Sequence, residues 1–364
     1  MSDIRVEDVG DTDVDAPSVA PPRALVHTTD AGLVIDLRDR TAPRRAPSAP
    51  LAPLPEFPAT ERLRPGHLPH IRAFTAAFDD YSDFNATSLW GWSGSVERGY
   101  RVARCNGNLV VEFAEYLTDE RFLSFLGDRH PDDTADTLLR HAAGRDDLAD
   151  ELRLVPAVAA AKLDPGRFAV EADDDAADYV YRASEGAQMP GQRYRSLRWT
   201  HRTWEKRWGS RAELRWVDRH ELVALRDEIL ELMRDWGERG TDGSAHSEQE
   251  LRAMRNLLDT SATWGDGLDG WSGVCLTDGE LSGVFITERE DAHRLSGHFL
   301  KMTNRPPGDG FHGWYFVELC RRATEAGIVE LNLQQDLGIP GLRAAKQHLR
   351  PHRKLEKFTV RRSR

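Results

Sequence analysis

The stretch ELNLQQDLGIPGLRAAKQHLRPHRKLEK, residues 330–357 of 364, gathers the groups best suited to chemistry in this chain. A short apolar run, Val329–Leu333, leads into Asn332, Gln334, Gln335 and Asp336. Gly338, Pro340 and Gly341 then turn the chain into a helical pattern that carries Arg343 and Lys346 and stops at Pro351. Amides and a carboxylate at a strand end, facing a helix N-terminus and backed by cations, suit a polar substrate with anionic parts. Acyl transfer to an amine or hydroxyl needs a path for the nucleophile's proton, donors to the carbonyl oxygen, and positioning. Asp336 is placed to accept the proton or to hold an α-ammonium group. Asn332 and backbone N–H groups near Gly338 are placed to polarise the carbonyl. Arg343, Lys346 and Lys354 can hold phosphates. Asp is also strongly preferred at helix N-caps and turns, so a structural role for Asp336 stays open.

Charge is spread unevenly. The net value is −11, yet residues 193–215 carry +6 and residues 343–364 carry +8, leaving −25 on the rest. Two basic segments on an acidic body point to a localised anion-binding face, or else to a solvated helix face and a frayed basic C-terminus. Arg195, Arg198, Arg202 and Lys206 fall three or four apart and share one helical face, with Trp199, Trp204 and Trp208 between them. Arg interleaved with aromatics can grip nucleic acid through phosphates and stacking. The same pattern also describes an amphipathic helix whose Trp residues pack on the body.

Other chemistries find little support. No G-x-S-x-G, H-E-x-x-H, G-x-x-x-x-G-K-[ST] or C-x-x-C is present. The thirteen His residues show no metal-ligand spacing, and Pro351 separates His348 from His352. No metal site is expected. Cys105, Cys275 and Cys320 fit neither a disulfide framework nor a zinc spacing, which points to a reduced, cytosolic setting. The acidic N-terminus has no signal-type apolar region. No apolar run approaches the roughly 18 residues that span a bilayer, so integral membrane association is not expected.

The positioning elements read as follows. Residues 1–55, rich in Pro, Ala and Arg, form an expected disordered leader, with one short strand possible at Gly32–Leu37. A helix begins at Pro65. Asn106-Gly107 joins two alternating runs as a hairpin, and helices follow at Thr118–Gly127 and Asp132–Gly144. Strands are expected at Arg153–Ala157, Arg167–Glu171 and Ala177–Arg182, then a basic helix at Gln192–Trp208. After a strand at Arg211–Val217, Asp218 and Glu221 cap one long helix, and Ser247 and Glu250 cap the next. A second hairpin turns at Asp278-Gly279. Strand Arg294–Met302, helix Trp314–Ala326, strand Ile328–Leu333, a helix at Pro340–Leu349 and a strand at Leu355–Arg361 complete the chain.

This α/β order, with mixed sheets, is the order of GNAT-type acyltransferase domains, and the first half reads as a degenerate copy of the second. In such a sheet two adjacent parallel strands splay into a cleft. Here they are Arg294–Met302, bringing Lys301 and Asn304, and Ile328–Leu333, bringing Asn332 and Gln334, with Gln335 and Asp336 just beyond. Arg305, Gly308 and Gly310 also fit the R-x-x-G-x-G loop that binds coenzyme A in acetyltransferases. Two prolines in that loop remove N–H donors, and a plain Pro/Gly turn accounts for it as well.

Residues 331–360, LNLQQDLGIPGLRAAKQHLRPHRKLEKFTV, resemble the C-terminal signature of the phosphatidylglycerol lysyltransferase C-terminal-like family. DYVYRASEGAQMPGQRYRSLRWTHR, residues 178–202, resembles its mid-chain signature, and SDFNATSLWGWS, residues 82–93, its N-terminal stretch. Where the family has His, Lys and Asn, this chain has Arg195, Leu197 and Trp199. The resemblance implies two tandem GNAT-like domains, residues 56–209 and 210–364, the second catalytic. It implies kinship with enzymes that move an aminoacyl group from aminoacyl-tRNA to an acceptor. Its motifs fall on Asn332, Asp336, Gly338, Gly341, Arg343 and Lys346, and on Gly191, Arg193, Tyr194 and Arg198. The expectation is therefore a catalytic Asp336 and Asn332, with substrate held by Lys301, Asn304, Gln334, Gln335 and Arg343. Arg193, Tyr194, Arg198, Arg202, Lys346, Lys354 and Lys357 would serve the tRNA. Charged tRNA would be co-substrate, with no other cofactor, and the acceptor a small soluble amine or hydroxyl compound, hydroxylamine-type included. A coenzyme A-dependent acyltransferase and a non-catalytic RNA- or nucleotide-binding module remain the alternatives.

Overall fold

The computed structural model describes residues 53–115, 118–239, 244–260, 270–303 and 310–363, with two short strands near the start. Those strands, β1 (Val26–Thr29) and β2 (Gly32–Ile35), pair as an antiparallel hairpin in a unit of their own, residues 1–45. The run at Gly32–Leu37 supplies β2. Apart from this hairpin, the expected leader up to residue 52 lies outside the described residues.

Residues 46–364 form the second unit. Its first stretch runs β3 (Glu61–Arg62), α1 (Leu68–Thr75), α2 (Ala86–Ser93), β4 (Arg101–Cys105), β5 (Asn108–Ala114), β6 (Arg121–Leu126), α3 (Pro131–Ala143), β7 (Leu152–Pro156), α4 (Ala157–Ala160) and β8 (Phe168–Ala172). Next come β9 (Asp178–Arg182), α5 (Ala183–Gln188), α6 (Arg195–Trp208), β10 (Ala212–Val217), α7 (Arg219–Ala224), α8 (Arg226–Arg239) and α9 (Ser244–Thr260). The last stretch is β11 (Ser272–Thr277), β12 (Glu280–Arg289), β13 (Arg294–Met302), α10 (Phe311–Glu325), β14 (Glu330–Asn332), α11 (Pro340–His348), β15 (Arg353–Leu355) and β16 (Lys357–Arg362).

Both hairpins form where the turn dipeptides place them. Asn106-Gly107 and Asp278-Gly279 all have positive φ, the geometry that lets a two-residue turn match the twist of its strands. Asp218 accepts from the backbone of His220 and Glu221, and Glu221 returns a bond to Asp218, so that capping box exists. The helix it starts is interrupted at Leu225, which divides it into α7 and α8. The second expected box does not open its helix: α9 begins at Ser244, ahead of Ser247. A larger difference lies at Thr118–Gly127. The expected helix is the strand β6, every residue of which is buried. RFLSFL pairs antiparallel with β5 and parallel with β7, and its alternate side chains enter two cores, Phe122 and Leu126 one and Leu123 and Phe125 the other, so both its faces are covered and its apolar run loses any strand periodicity.

The two sheets are mixed and have matching plans: β3-β4-β5-β6-β7-β16-β8 and β10-β11-β12-β13-β14-β9-β15. Each holds one parallel pair, β6 with β7 and β13 with β14. Each then receives the last strand of the other half. β9 lies between β14 and β15, and β16 lies between β7 and β8. The architecture is thus the tandem GNAT-like one, with a reciprocal exchange that makes residue 209 no boundary between sheets. The C-terminus is correspondingly no frayed tail, since Lys357 and Val360 are fully buried. One face of the second sheet packs on α5, α6 and α10 through Trp204, Phe311, Trp314, Tyr315 and Phe316. Its other face packs on α8 and α9 through Ile229, Met233, Met254 and Leu257.

Candidate functional site

The parallel pair β13 and β14 is short. Arg294 pairs with Glu330, Leu295 with Leu331 and Ser296 with Asn332, and there the pairing stops. On its other side β13 carries a bulge. Ile286 pairs with Phe299 and Thr287 with Gly297, so His298 has no residue opposite it. A bulge beside the end of a ladder re-aims side chains and lets strands part. Where the splay is expected, the ladder between these two strands ends after three residues.

The segment leading into α2 covers this opening. Asn332 donates through Nδ2 to the Asp80 carbonyl and to Asp178 Oδ2 (3.2 Å), and it accepts from the Gln334 N–H at 2.7 Å. Asp80 accepts from Asn85 (2.8 Å) and from Ser296 (2.5 Å), and burial pushes its carboxyl well up. Asp178 accepts from the Ser82 backbone (2.8 Å), the Ser82 hydroxyl (2.7 Å) and Lys357 (2.8 Å). Gln335 bridges Ser82 and Asp83. Asn332 and Gln335 are therefore beams in a buried polar network joining the two halves of the chain.

Asp336 is fully buried and fully engaged. It accepts from Tyr179 Oη (2.6 Å), the Gly338 N–H (2.9 Å), and Arg343 Nε (2.8 Å) and Nη2 (2.9 Å). Burial alone would raise its pKa, but these bonds, Arg343 first, outweigh it and hold the carboxyl at about 2. Such a group anchors the turn into α11 to β9. A carboxylate with four donors and so low a pKa makes a poor proton acceptor near neutrality.

Lys346 behaves differently from its expected role at a phosphate-binding surface. It is buried, and Nζ donates to the carbonyls of Leu333 and Gln334, the second at 3.2 Å. Burial lowers its ammonium to about 8, against the raising influence of Asp178 and Asp336. An ammonium has three donors and two are used here, which leaves one at the mouth of β14. Gln334, with φ of 63°, crosses the opening and reaches Ser88 Oγ (3.3 Å) and His298 Nδ1 (3.0 Å). Lys301, on β13, is bound to Glu250 at 2.5 Å and lies 3.7 Å over the Trp236 ring. Asn304 and the loop Arg305–Gly308 lie outside the described residues, while Gly310, at φ of 82°, starts α10.

The expected tRNA contacts divide sharply. Lys357 is fully buried between Asp83 and Asp178, and Tyr194 is buried with its hydroxyl on Glu185 at 3.0 Å, so neither can meet RNA. Arg193 binds the carbonyls of Arg350 and Pro351, and Arg198 those of Met189 and Gly191. These two arginines stitch the start of α6 to its surroundings. Lys354 is exposed and rests 4.6 Å over the Tyr179 ring. Arg202, with Arg195 and Lys206, is exposed and has no partner among the described residues. They line a groove with Arg198, Trp199, Thr203 and Arg207. Trp199 is 68% exposed, whereas Trp204 and Trp208 pack inward, so the amphipathic reading holds for two of the three tryptophans.

Sequence reasoning missed Asp80, Asn85, Ser88, Asp178, Glu288, Glu290, Ser296 and His298. Glu288 is fully buried, accepts the Thr87 N–H at 2.8 Å, and stands 3.3 Å from His298 Nε2. Glu290 is buried beside them, and the donor atoms of Glu288, Glu290 and His298 lie within 4.8 Å of one another. The available signal was charge on strands otherwise buried, at Asp178, Glu288 and His298, because ionisable groups are rarely buried without a partner.

The family model described as phosphatidylglycerol lysyltransferase, C-terminal, matches residues 127–361. No curated protein matches the sequence at a significant level. A conserved protein of unknown function from Bacteroides thetaiotaomicron has the same fold with 20% identity and a TM-score of 0.69, over 84% of this chain and 99% of that one. The C-terminal domain of a putative lysylphosphatidylglycerol synthetase from Agrobacterium fabrum aligns at 13% identity and a TM-score of 0.54, over 82% and 92%. Among the described residues no helix is long and apolar enough to cross a membrane.

Proposed function

The chain belongs to the phosphatidylglycerol lysyltransferase C-terminal family, and from that premise we propose that it is an aminoacyltransferase using aminoacyl-tRNA. The acceptor in this reading is a small soluble amine or hydroxyl compound, with a hydroxylamine-type nucleophile included. The observation that carries it is the parting of β13 and β14 after Ser296 and Asn332, with the buried Lys346 ammonium at the opening. An acyl ester laid in that gap has its carbonyl oxygen next to a cation in a low-dielectric setting, where charge stabilisation is strongest. The acceptor nitrogen or oxygen bonds to the acyl carbon, the ester oxygen of the tRNA 3′ end leaves, and the acceptor's proton passes to that oxygen or to water.

The exposed face of α6 supports the tRNA part of the reading. Arg195, Arg202 and Lys206 have no partner among the described residues, and Trp199 offers a ring for stacking. In this scheme Asp336 and Asn332 hold the turn and the strand end, and Gln334 and Lys346 face the acyl group. A coenzyme A donor is the second reading, resting on Gly310, which starts α10 with positive φ as a phosphate-binding loop would.

The test is incubation with a mixture of charged tRNAs and amine acceptors, following deacylation and acyl-acceptor formation. Transfer dependent on both supports the proposal. If no charged tRNA is bound or consumed while acetyl-coenzyme A binds at micromolar levels, the coenzyme A reading replaces it. Equal binding of charged and bare tRNA without turnover points to a non-catalytic RNA-binding module.

A further inference from the structure

We propose that Glu288, Glu290 and His298 bind one divalent transition-metal ion at the base of the splayed strands. Glu288 lies on β12, Glu290 immediately follows it, and His298 is the bulged residue of β13. All three side chains are buried, and their donor atoms lie within 4.8 Å of one another. Ligand atoms around a tetrahedral ion with bonds of about 2.1 Å lie about 3.4 Å apart, so the three side chains draw together as the ion binds.

The independent observation is that each residue presents a buried polar atom with no hydrogen bond: Glu288 Oε1, Glu290 Oε1 and His298 Nε2. Orphaned buried atoms are uncommon, and three within one cluster of side chains call for a missing partner. Protein groups near the cluster supply ion-pair contacts but no hydrogen bond to these three atoms. His298 Nε2 is 3.3 Å from Glu288 Oε2 yet outside hydrogen-bonding geometry, and Arg72 Nε is 3.9 Å from Glu288 Oε1. Arg294 is taken up by Asp291 and by the carbonyls of Phe78 and Ala76.

The outer contacts also have the form of a metal site. Ligating histidines commonly use the other ring nitrogen to fix their orientation, and ligating carboxylates are themselves hydrogen-bonded. Here His298 Nδ1 lies 3.1 Å from Ser88 Oγ, and the Thr87 N–H binds Glu288 Oε2. With the Nδ1 proton given to Ser88, and the Gln334 amide turned to present its oxygen there, Nε2 turns a lone pair toward the two carboxylates. A set of two carboxylates and one imidazole suits zinc, manganese or ferrous iron more than calcium or magnesium. Through Thr87 and Ser88 the ion ties β12 and β13 to α2, and through Gln334 it reaches the opening of the cleft.

The test uses the full chain, stripped with a chelator and titrated with Co²⁺, Zn²⁺ or Mn²⁺. One equivalent is expected to bind, raising the thermal midpoint, and Co²⁺ is expected to give the visible bands of a nitrogen–oxygen site. Glu290→Gln and His298→Gln should each weaken binding at least ~10-fold while the far-ultraviolet spectrum stays native, with a smaller loss for Ser88→Ala. Absence of stoichiometric binding by the unaltered chain overturns the proposal. So does binding that survives in the Glu290→Gln/His298→Gln double variant, since the ion then sits elsewhere. Should the His298 variant fail to fold, the near-isosteric Glu290→Gln variant and the Co²⁺ spectrum of the unaltered chain still decide.

Discussion

Asp336 and Lys346 sit close together in the sequence, yet the structure gives them opposite electrostatic situations. Asp336 is held at about 2, below its usual 3.8, by Arg343, Tyr179 and Gly338. Its folded form therefore binds protons less readily than its unfolded form. The stability it contributes is present above pH 3.8 and lost as pH falls toward 2. Asp336→Asn should cost about 1–3 kcal/mol at pH 7, because the buried Tyr179 hydroxyl and the Arg343 fork lose their acceptor. Urea unfolding should then find the gap between variant and parent shrinking below pH 3.8. Lys346 is lowered from 10.5 to about 8. The unfolded chain binds the extra proton between those values, so the penalty of burying the ammonium is full below pH 8 and fades as pH rises to 10.5. The parent should gain stability relative to Lys346→Met across that window. If the ammonium polarises the acyl carbonyl, turnover should fall as pH rises past about 8, and Lys346→Met should lower kcat far more than it raises the acceptor KM. Retained kcat with an unchanged alkaline limb would remove Lys346 from the reaction. The sequence made these two residues visible but not their roles, because local spacing cannot report which of several neighbours fills a carboxylate or buries an amine. It could not make Glu288, Glu290 and His298 visible as a set, since the two strands that align them meet across a hairpin and a bulge.

At the scale of elements, α6 is where sequence and structure agree in outline and part in detail. Its basic periodicity and its boundaries are legible, and the capping box at Asp218 and both glycine hairpins formed where local chemistry placed them. What local pattern could not reveal is which of its cations are already used. Arg193 and Arg198 bind backbone carbonyls, whereas Arg195, Arg202 and Lys206 have no partner among the described residues. Strand β6 marks the opposite limit: a strand buried on both faces has no alternation to read, so its apolar run passes for a helix. The division on α6 makes a prediction with an internal control. Arg202→Ala and Lys206→Ala should weaken tRNA binding without regard to sequence, each reducing the salt slope by about 1. Trp199→Ala should cost about 1–3 kcal/mol of binding if a base stacks there. Arg193→Ala should lower thermal stability and change the salt slope little. Filter binding or anisotropy from low to moderate salt reads all four, and a flat salt response would mean that this face does not hold tRNA.

The large unit, residues 46–364, is held together by the exchange of final strands, which places Lys357 of β16 against Asp178 of β9 and Asp83 of the segment before α2. β16 completes the first sheet and β9 the second, so neither sheet is complete within one half of the sequence. Element order in the sequence reveals two similar halves but is silent on exchange, because a strand looks the same whichever sheet it joins. One consequence is cooperative: the unit of residues 46–364 should unfold in a single transition, with tryptophan fluorescence and far-ultraviolet circular dichroism superimposing. A second consequence follows from the junction itself. Lys357 is fully buried, and burial, which alone would lower its pKa, is outweighed by Asp178 and Asp83, so the ammonium stays charged. Removing it leaves two carboxylates facing each other in the interior, the situation in which breaking a buried pair costs about 3–5 kcal/mol. Lys357→Met should therefore destabilise the entire unit by that order at pH 7. The same variant should recover part of the loss near pH 4, where one of the orphaned carboxylates takes a proton. If its unfolding midpoint is instead shifted equally at both values, the loss comes from packing at β16 and the charge bridge is not what joins the two sheets.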